Sequence, residues 1–149
     1  VTNPTAKQLA VKWLAASDKT EAELRTRLQK RGYPEAEITS ALRDLAQGRW
    51  LDDQRVLERE IEQSIAHPGI GREKTRATLL KRGLDEEIVE NSLIAWSEED
   101  ETAKAAAFLE ARLKPEDAPA RAARMLVSRG FSEEAVRSAL ERRFPDWES

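Results

Sequence analysis

The chain has 149 residues, of which 40% are hydrophobic and 36% charged, and its net charge is −3. A chain of this size forms one domain or a short array of small modules, and so high a charged fraction suits an elongated shape better than a compact globule. The absence of cysteine excludes a disulfide framework, a thiolate metal site and a cysteine nucleophile, while the acidic balance argues against an indiscriminately basic nucleic-acid binder. No apolar run approaches the ~18 residues of a transmembrane span and no signal-peptide pattern is present, so a cytoplasmic protein is expected. The first residue is Val1, and an initiator or short leader is expected ahead of it.

Helical periodicity runs almost throughout, with no convincing strand alternation. Ala6, Leu9, Ala10, Trp13 and Leu14 form a stripe over residues 5–16. Thr20 followed by Glu23 has capping-box spacing and starts a second helix that runs to Arg31. Pro34 opens a third, carrying Ile38, Ala41, Leu42, Leu45 and Ala46 to a stop near Gly48. Trp50 and Leu51 lead into Asp52 and Asp53, acids suited to cap a fourth helix with Leu57, Ile61 and Ile65 on its apolar face. His67-Pro68-Gly69-Ile70-Gly71 is a break. A basic helix over 72–82 follows, then one holding Val89, Leu93 and Trp96. Ser97 caps a seventh helix with Ala105, Leu109 and Leu113. Residues 114–119 interrupt it, an eighth runs over 120–129, and Ser132 caps a ninth with Val136, Ala139, Leu140 and Phe144. The tail after Pro145 is expected to fray.

One phrase organises these elements. Leu28-Gln29-Lys30-Arg31-Gly32-Tyr33 returns as Leu79-Leu80-Lys81-Arg82-Gly83-Leu84 and as Leu126-Val127-Ser128-Arg129-Gly130-Phe131. An acid, a branched apolar residue and a leucine follow each glycine at the same offsets: Glu35, Ile38 and Leu42, then Glu86, Val89 and Leu93, then Glu133, Val136 and Leu140. A repeat near fifty residues marks a helical array. Glycine past a helix end closes the last turn in the left-handed conformation, and arginine there suits the dipole without needing a partner. The expected organisation is all-α, three tandem three-helix repeats over residues 1–48, 49–96 and 97–149, stacked into a curved array.

Catalytic chemistry has no visible constellation. His67 is the sole histidine and stands in a Pro-Gly turn, and Gly69-Ile70-Gly71 lacks the Lys-Ser/Thr sequel of a phosphate loop. No cofactor, metal or enzymatic activity is expected. Charge, by contrast, is unevenly placed. The middle helix of each repeat, over 20–31, 71–82 and 118–130, carries a net +2, +4 and +3, which leaves −12 for the other residues. Arg25, Arg27, Lys30 and Arg31, then Arg72, Lys74, Arg76, Lys81 and Arg82, then Arg121, Arg124 and Arg129 would form a basic ribbon if the repeats stack in register. Scattered solvated charge is the alternative. Trp13 and Trp96 read as core residues and Trp50 as a wedge between repeats. No aromatics are interleaved among the cations, so the stacking platform of a single-strand binder is missing.

These phrases resemble the bacterial RecX proteins, regulators of the recombinase RecA, over nearly the whole chain. Thr20-Glu21-Ala22-Glu23-Leu24-Arg25 with Leu28 and Arg31-Gly32-Tyr33 is similar to the family's Ser-Glu-x-Glu-Leu-Arg…Leu…Lys-Gly-Phe. Trp50-Leu51-Asp52-Asp53-Gln54-Arg55 is similar to its Tyr-Leu-Asp-Asp-x-Arg, the most specific of the set. Gly71, Lys74, Arg76, Leu79, Arg82 and Gly83 fit its second-repeat phrase, and Arg124, Leu126 and Arg129-Gly130-Phe131 the third. Arg49 stands where the family has glycine, Val56 where it has phenylalanine and Thr75 where it has isoleucine. The resemblance implies a nonenzymatic crescent of three repeats that lies in the groove of the RecA–DNA filament and restrains it, and a monomer is expected. A direct contact to single- or double-stranded DNA through the basic helices is the second reading.

Overall fold

The computed structural model describes residues 2–147. Among them are nine α-helices and no strand: α1 (Ala6–Ala16), α2 (Glu21–Lys30), α3 (Glu35–Gln47), α4 (Asp53–Ala66), α5 (Arg72–Lys81), α6 (Glu86–Leu93), α7 (Glu98–Arg112), α8 (Pro119–Ser128) and α9 (Glu133–Arg143). The protein is all-α, built of tandem three-helix repeats.

Local chemistry sets the helix ends. Thr20 accepts from the Glu23 amide at 3.1 Å while the Glu23 carboxylate accepts from the Thr20 amide at 2.8 Å, which completes the capping box. Asp52 accepts from the Arg55 amide at 3.2 Å, and Ser97 and Ser132 cap α7 and α9 through the Asp100 and Ala135 amides. At the other ends, Gly32, Gly83 and Gly130 all have positive φ, between 82° and 86°. The amides of Tyr33, Leu84 and Phe131 reach back five residues to the carbonyls of Leu28, Leu79 and Leu126. This is the Schellman closure, so the repeated phrase is a helix stop.

The chain forms two compact units, Val1–Arg59 with Leu79–Asp85, and Glu60–Thr78 with Glu86–Ser149. The first has a core of ten buried residues that includes Leu24, Leu28, Ile38, Leu42 and Leu45, with Trp13 and Tyr33 packed at its margin. Full burial of each such leucine contributes about 1.5–3 kcal/mol. The second centres on Ala105, Phe108, Leu109, Leu126, Phe131 and Leu140.

In both units the glycine stop of one middle helix docks on the first turn of another. In the first unit the Thr20 hydroxyl donates to the Arg82 carbonyl at 2.6 Å. In the second, the Gly71 amide donates to Arg129 O at 2.8 Å and the Glu73 amide to Gly130 O at 2.8 Å. In the second unit carbonyls left over at a helix end thus meet amides left over at a helix start, whereas in the first the capping hydroxyl is the donor.

Several local expectations need correction. Of the expected α4 stripe Leu57 is buried and Ile61 half-buried, but Ile65 is 53% exposed, and Val56 and Ser64 are turned inward beside Leu57. α6 ends at Leu93, and Trp96 is buried from the following turn rather than from the helix. Trp50 is 56% exposed, lying largely at the surface where a wedge was expected. α8 begins one residue early, with Pro119 in its first turn, where no amide is missed. The tail does not fray as far as it is described: the Trp147 amide donates to Phe144 O at 2.9 Å and its ring packs on the second core. The last two residues lie outside the described range.

Two departures from the family phrases sit comfortably. Val56 is buried, filling an apolar position with a smaller side chain, and Thr75 is buried with its hydroxyl donating to Gly71 O at 3.2 Å.

Candidate functional site

The middle helices divide their cations into two populations, one built into the fold and one turned to solvent. The first includes Arg25, Arg72, Arg76 and Arg82. Arg25 pairs with Glu21 at 3.7 Å and with Glu35. Arg82 donates to Glu23 at 3.1 Å and to the Asp18 carbonyl at 3.1 Å. Burial works against ionisation of Glu23, but the hydrogen bond from Arg82 and the Thr20 amide outweigh it, so its carboxyl sits below the ordinary range. Arg76 bridges Glu73 and, at 2.6 Å, Glu90, and those two carboxylates hold its guanidinium more firmly protonated still.

Arg72 is the most enclosed, with its side chain 14% exposed. It donates to the Trp96 carbonyl at 2.7 Å and pairs with Glu98. Its backbone amide donates to Glu101 Oε1 at 2.9 Å, which also accepts from the Ser132 amide at 3.3 Å. Glu101 is completely buried, and its second oxygen, Oε2, has no hydrogen-bond partner. Burial raises the Glu101 carboxyl above its ordinary value, with the Arg72 and Ser132 amides and the charges of Arg72 and Lys104 pulling only part of the way back. Lys104 donates to the Ser64 and Ile70 carbonyls at 2.7 and 2.6 Å and lies 4.8 Å from the Trp96 ring centre. Burial lowers its ammonium, against the attraction of Glu101.

The second population comprises Arg27, Lys30, Arg31, Lys74, Lys81 and Arg124, all exposed. Arg27 lies 4.4 Å above the Trp13 ring centre and Arg31 lies 5.8 Å from it, a geometry that holds guanidinium groups in place through cation–π attraction. Trp13 packs against the first core but is only half-buried, and it brings an aromatic face among the cations where none was expected. Between these populations, Arg121 is exposed beside Asp117 at 3.4 Å, and Arg129 leans over the Phe108 ring at 5.3 Å.

The Trp-Leu-Asp-Asp phrase is mostly architecture. Leu51 is buried, Asp52 caps α4, and Asp53 accepts from the Glu21 amide at 2.8 Å. Burial, joined by repulsion from Glu21, Asp52 and Glu23, raises the Asp53 carboxyl in spite of that bond. Arg55 reaches the carbonyls of Arg49 and Trp50, both at 3.4 Å. Only the Trp50 ring is presented outward. Gly32, Gly83 and Gly130 serve the helix stops described above.

Among the described residues, no cluster of three or more His, Cys, Asp or Glu is placed to hold a metal ion, and no helix is long and apolar enough to cross a membrane. Sequence reading missed Lys19, which sits in the Ser-Asp-Lys-Thr break and faces the same groove as Arg27 and Lys81. A lone lysine in a loop carries no signal of that placement.

Known proteins match this architecture. The family model for the first three-helix domain of RecX matches residues 6–45. The "Regulatory protein RecX" of Mycobacterium avium (strain 104) is 30% identical over 135 residues, covering 86% of this chain and 78% of the relative. That of Vibrio vulnificus (strain CMCP6) is 29% identical over 140 residues, covering 91% of both chains. In fold, the crystal structure of RecX from Lactobacillus salivarius superposes with a TM-score of 0.80 at 19% identity, covering 92% of this chain and 93% of that one.

Proposed function

The chain belongs to the RecX family of regulatory proteins, and from that premise we propose that it is a nonenzymatic, negative regulator of the RecA recombinase that binds along the RecA–DNA filament. The observation that carries the reading is the sorting of cations. Arg25, Arg72, Arg76 and Arg82 are consumed by internal pairs, while Arg27, Lys30, Arg31, Lys74, Lys81 and Arg124 face solvent on the middle helices. A chain with a net charge of −3 that keeps these cations outward is suited to an acidic partner. A RecA–DNA filament offers carboxylates and phosphates together.

The test is co-sedimentation with RecA filaments assembled on single-stranded DNA, with RecA ATP hydrolysis followed in parallel. The wild-type chain should pellet with the filament and slow hydrolysis. Lys74→Glu combined with Lys81→Glu should weaken pelleting by at least tenfold at moderate salt while leaving helicity intact. Reversing Arg76 would be a poor probe, because it sets a carboxylate against Glu73 and Glu90. Stimulated hydrolysis would overturn the negative sign, and wild-type pelleting by the double variant would overturn the role of these cations.

A further inference from the structure

A groove of about 490 Å³ opens within the first unit, between the start of α2 and the end of α5. Lys19, Arg27, Lys81 and Arg82 line it, with Glu23 as the one carboxylate. Glu23 and Arg82 are turned on each other at 3.1 Å, which leaves Lys19, Arg27 and Lys81 as the wall's unopposed charge. Lys19 is anchored by Ser17, and Arg27 by the Trp13 ring at 4.4 Å, so two of the three are held before any ligand arrives. The remaining lining, Ala22, Thr26 and Gly83, is small.

We infer that this groove is a phosphodiester site, which takes a stretch of nucleic-acid sugar–phosphate backbone without reading its bases. The inference rests on the filament reading only in supplying a context, and it assigns the nucleic-acid contact to one place. Three cations along one open channel match a continuous polyanion better than the isolated carboxylates of a protein surface. Protein hot spots also need a large apolar anchor and a pocket to bury it, and Ala22, Thr26 and Gly83 provide neither. Base readout needs aromatic faces or paired donors and acceptors; no ring lines the groove, and the Trp13 ring is already faced by Arg27.

The experiment is a salt titration of binding to a labelled oligothymidylate by anisotropy. It compares the full chain, the Lys19→Gln/Arg27→Gln/Lys81→Gln variant, and a charge-matched variant on other surfaces of the same unit, Lys7→Gln/Lys12→Gln/Arg43→Gln. Loss of three phosphate contacts should lower the slope of log K against log salt by about 2. The charge-matched variant should keep the wild-type slope. Equal losses in both variants, an unchanged slope in the groove variant, or no wild-type affinity would each overturn the site. ATP that binds as tightly as the oligonucleotide and displaces it would assign the groove to a free nucleotide instead. Filament pelleting is measured on the same proteins. Groove-dependent binding to naked DNA by a chain that ignores RecA filaments would overturn the regulatory reading alone. An unchanged salt slope in a chain that still pellets would overturn the groove alone.

Discussion

Gly83 packs so closely on Ala22 that a Cβ built on the glycine would stand well under 3.0 Å from the alanine methyl. Gly130 sits equally close to Lys74, against its backbone as well as its Cβ, whereas a Cβ on Gly32 would meet nothing within 4 Å. The three glycines share one conformation but not one environment. Gly32→Ala should therefore cost only the left-handed backbone, about 1 kcal/mol. Gly83→Ala and Gly130→Ala add an overpacked helix junction and should cost about 2–4 kcal/mol. Urea unfolding of the three variants checks this, and equal costs would show that the docking of one helix end on another contributes nothing.

Arg49 is the only non-glycine described with positive φ, at 62°. It occupies the same stop position after α3 that the glycines occupy elsewhere, with the Trp50 amide reaching Leu45 O at 2.9 Å. The family resemblance places glycine here, and the backbone explains why. Arg49→Gly should relieve the strain, less the extra freedom glycine has when unfolded, for a net gain of about 0.5–1 kcal/mol. A melting temperature that rises by a few degrees is the expected result.

Much of this was legible beforehand because it is local. Capping boxes, glycine stops and the Pro34 start depend on residues within one turn, and the structure places them where the spacing did. The division of the cations was not legible, because the partners lie far along the chain: Arg82 with Glu23 is separated by 59 residues and Arg72 with Glu98 by 26. A charge count over a helix cannot tell a paired arginine from an exposed one. The same limit applies to Trp13, whose helical stripe predicts burial but whose ring face is left for Arg27.

Glu101 makes stability depend on pH in an unusual direction for an acid. Its folded-state affinity for a proton is raised above the ordinary value of 4.5 by burial, so the folded chain holds more proton than the unfolded one in that window. Stability from this group is therefore present below about pH 4.5 and is lost as pH rises through the folded value. Glu101→Gln keeps an acceptor for the Arg72 and Ser132 amides and removes the titration. Its stability should vary less with pH from 4.5 upward than that of the wild type. Glu101→Ala instead strands two amide donors and should cost about 2–4 kcal/mol at neutral pH. Chemical denaturation across pH separates the two variants, and parallel pH profiles for wild type and Glu101→Gln would refute the buried-carboxylate account.

Arg72 and Arg124 were equal members of the basic ribbon by charge, and the structure makes them opposites. Arg72 donates to the Trp96 carbonyl at 2.7 Å, pairs with Glu98 and adds its charge beside the buried Glu101. Its removal takes the Trp96 carbonyl's side-chain donor and the ion-pair partner of Glu98, which keeps only the Ser132 hydroxyl, so Arg72→Ala should destabilise by about 1–3 kcal/mol. Arg124 is exposed on α8, and Arg124→Ala should stay within about 0.5 kcal/mol of the wild type. Filament association should sort the other way. Arg124→Ala lowers it with the fold intact, whereas Arg72→Ala, studied where it is still fully folded, retains wild-type association. Thermal melts and co-sedimentation on the same two proteins decide the matter, and a folded Arg72→Ala chain that fails to bind would return Arg72 to the partner surface.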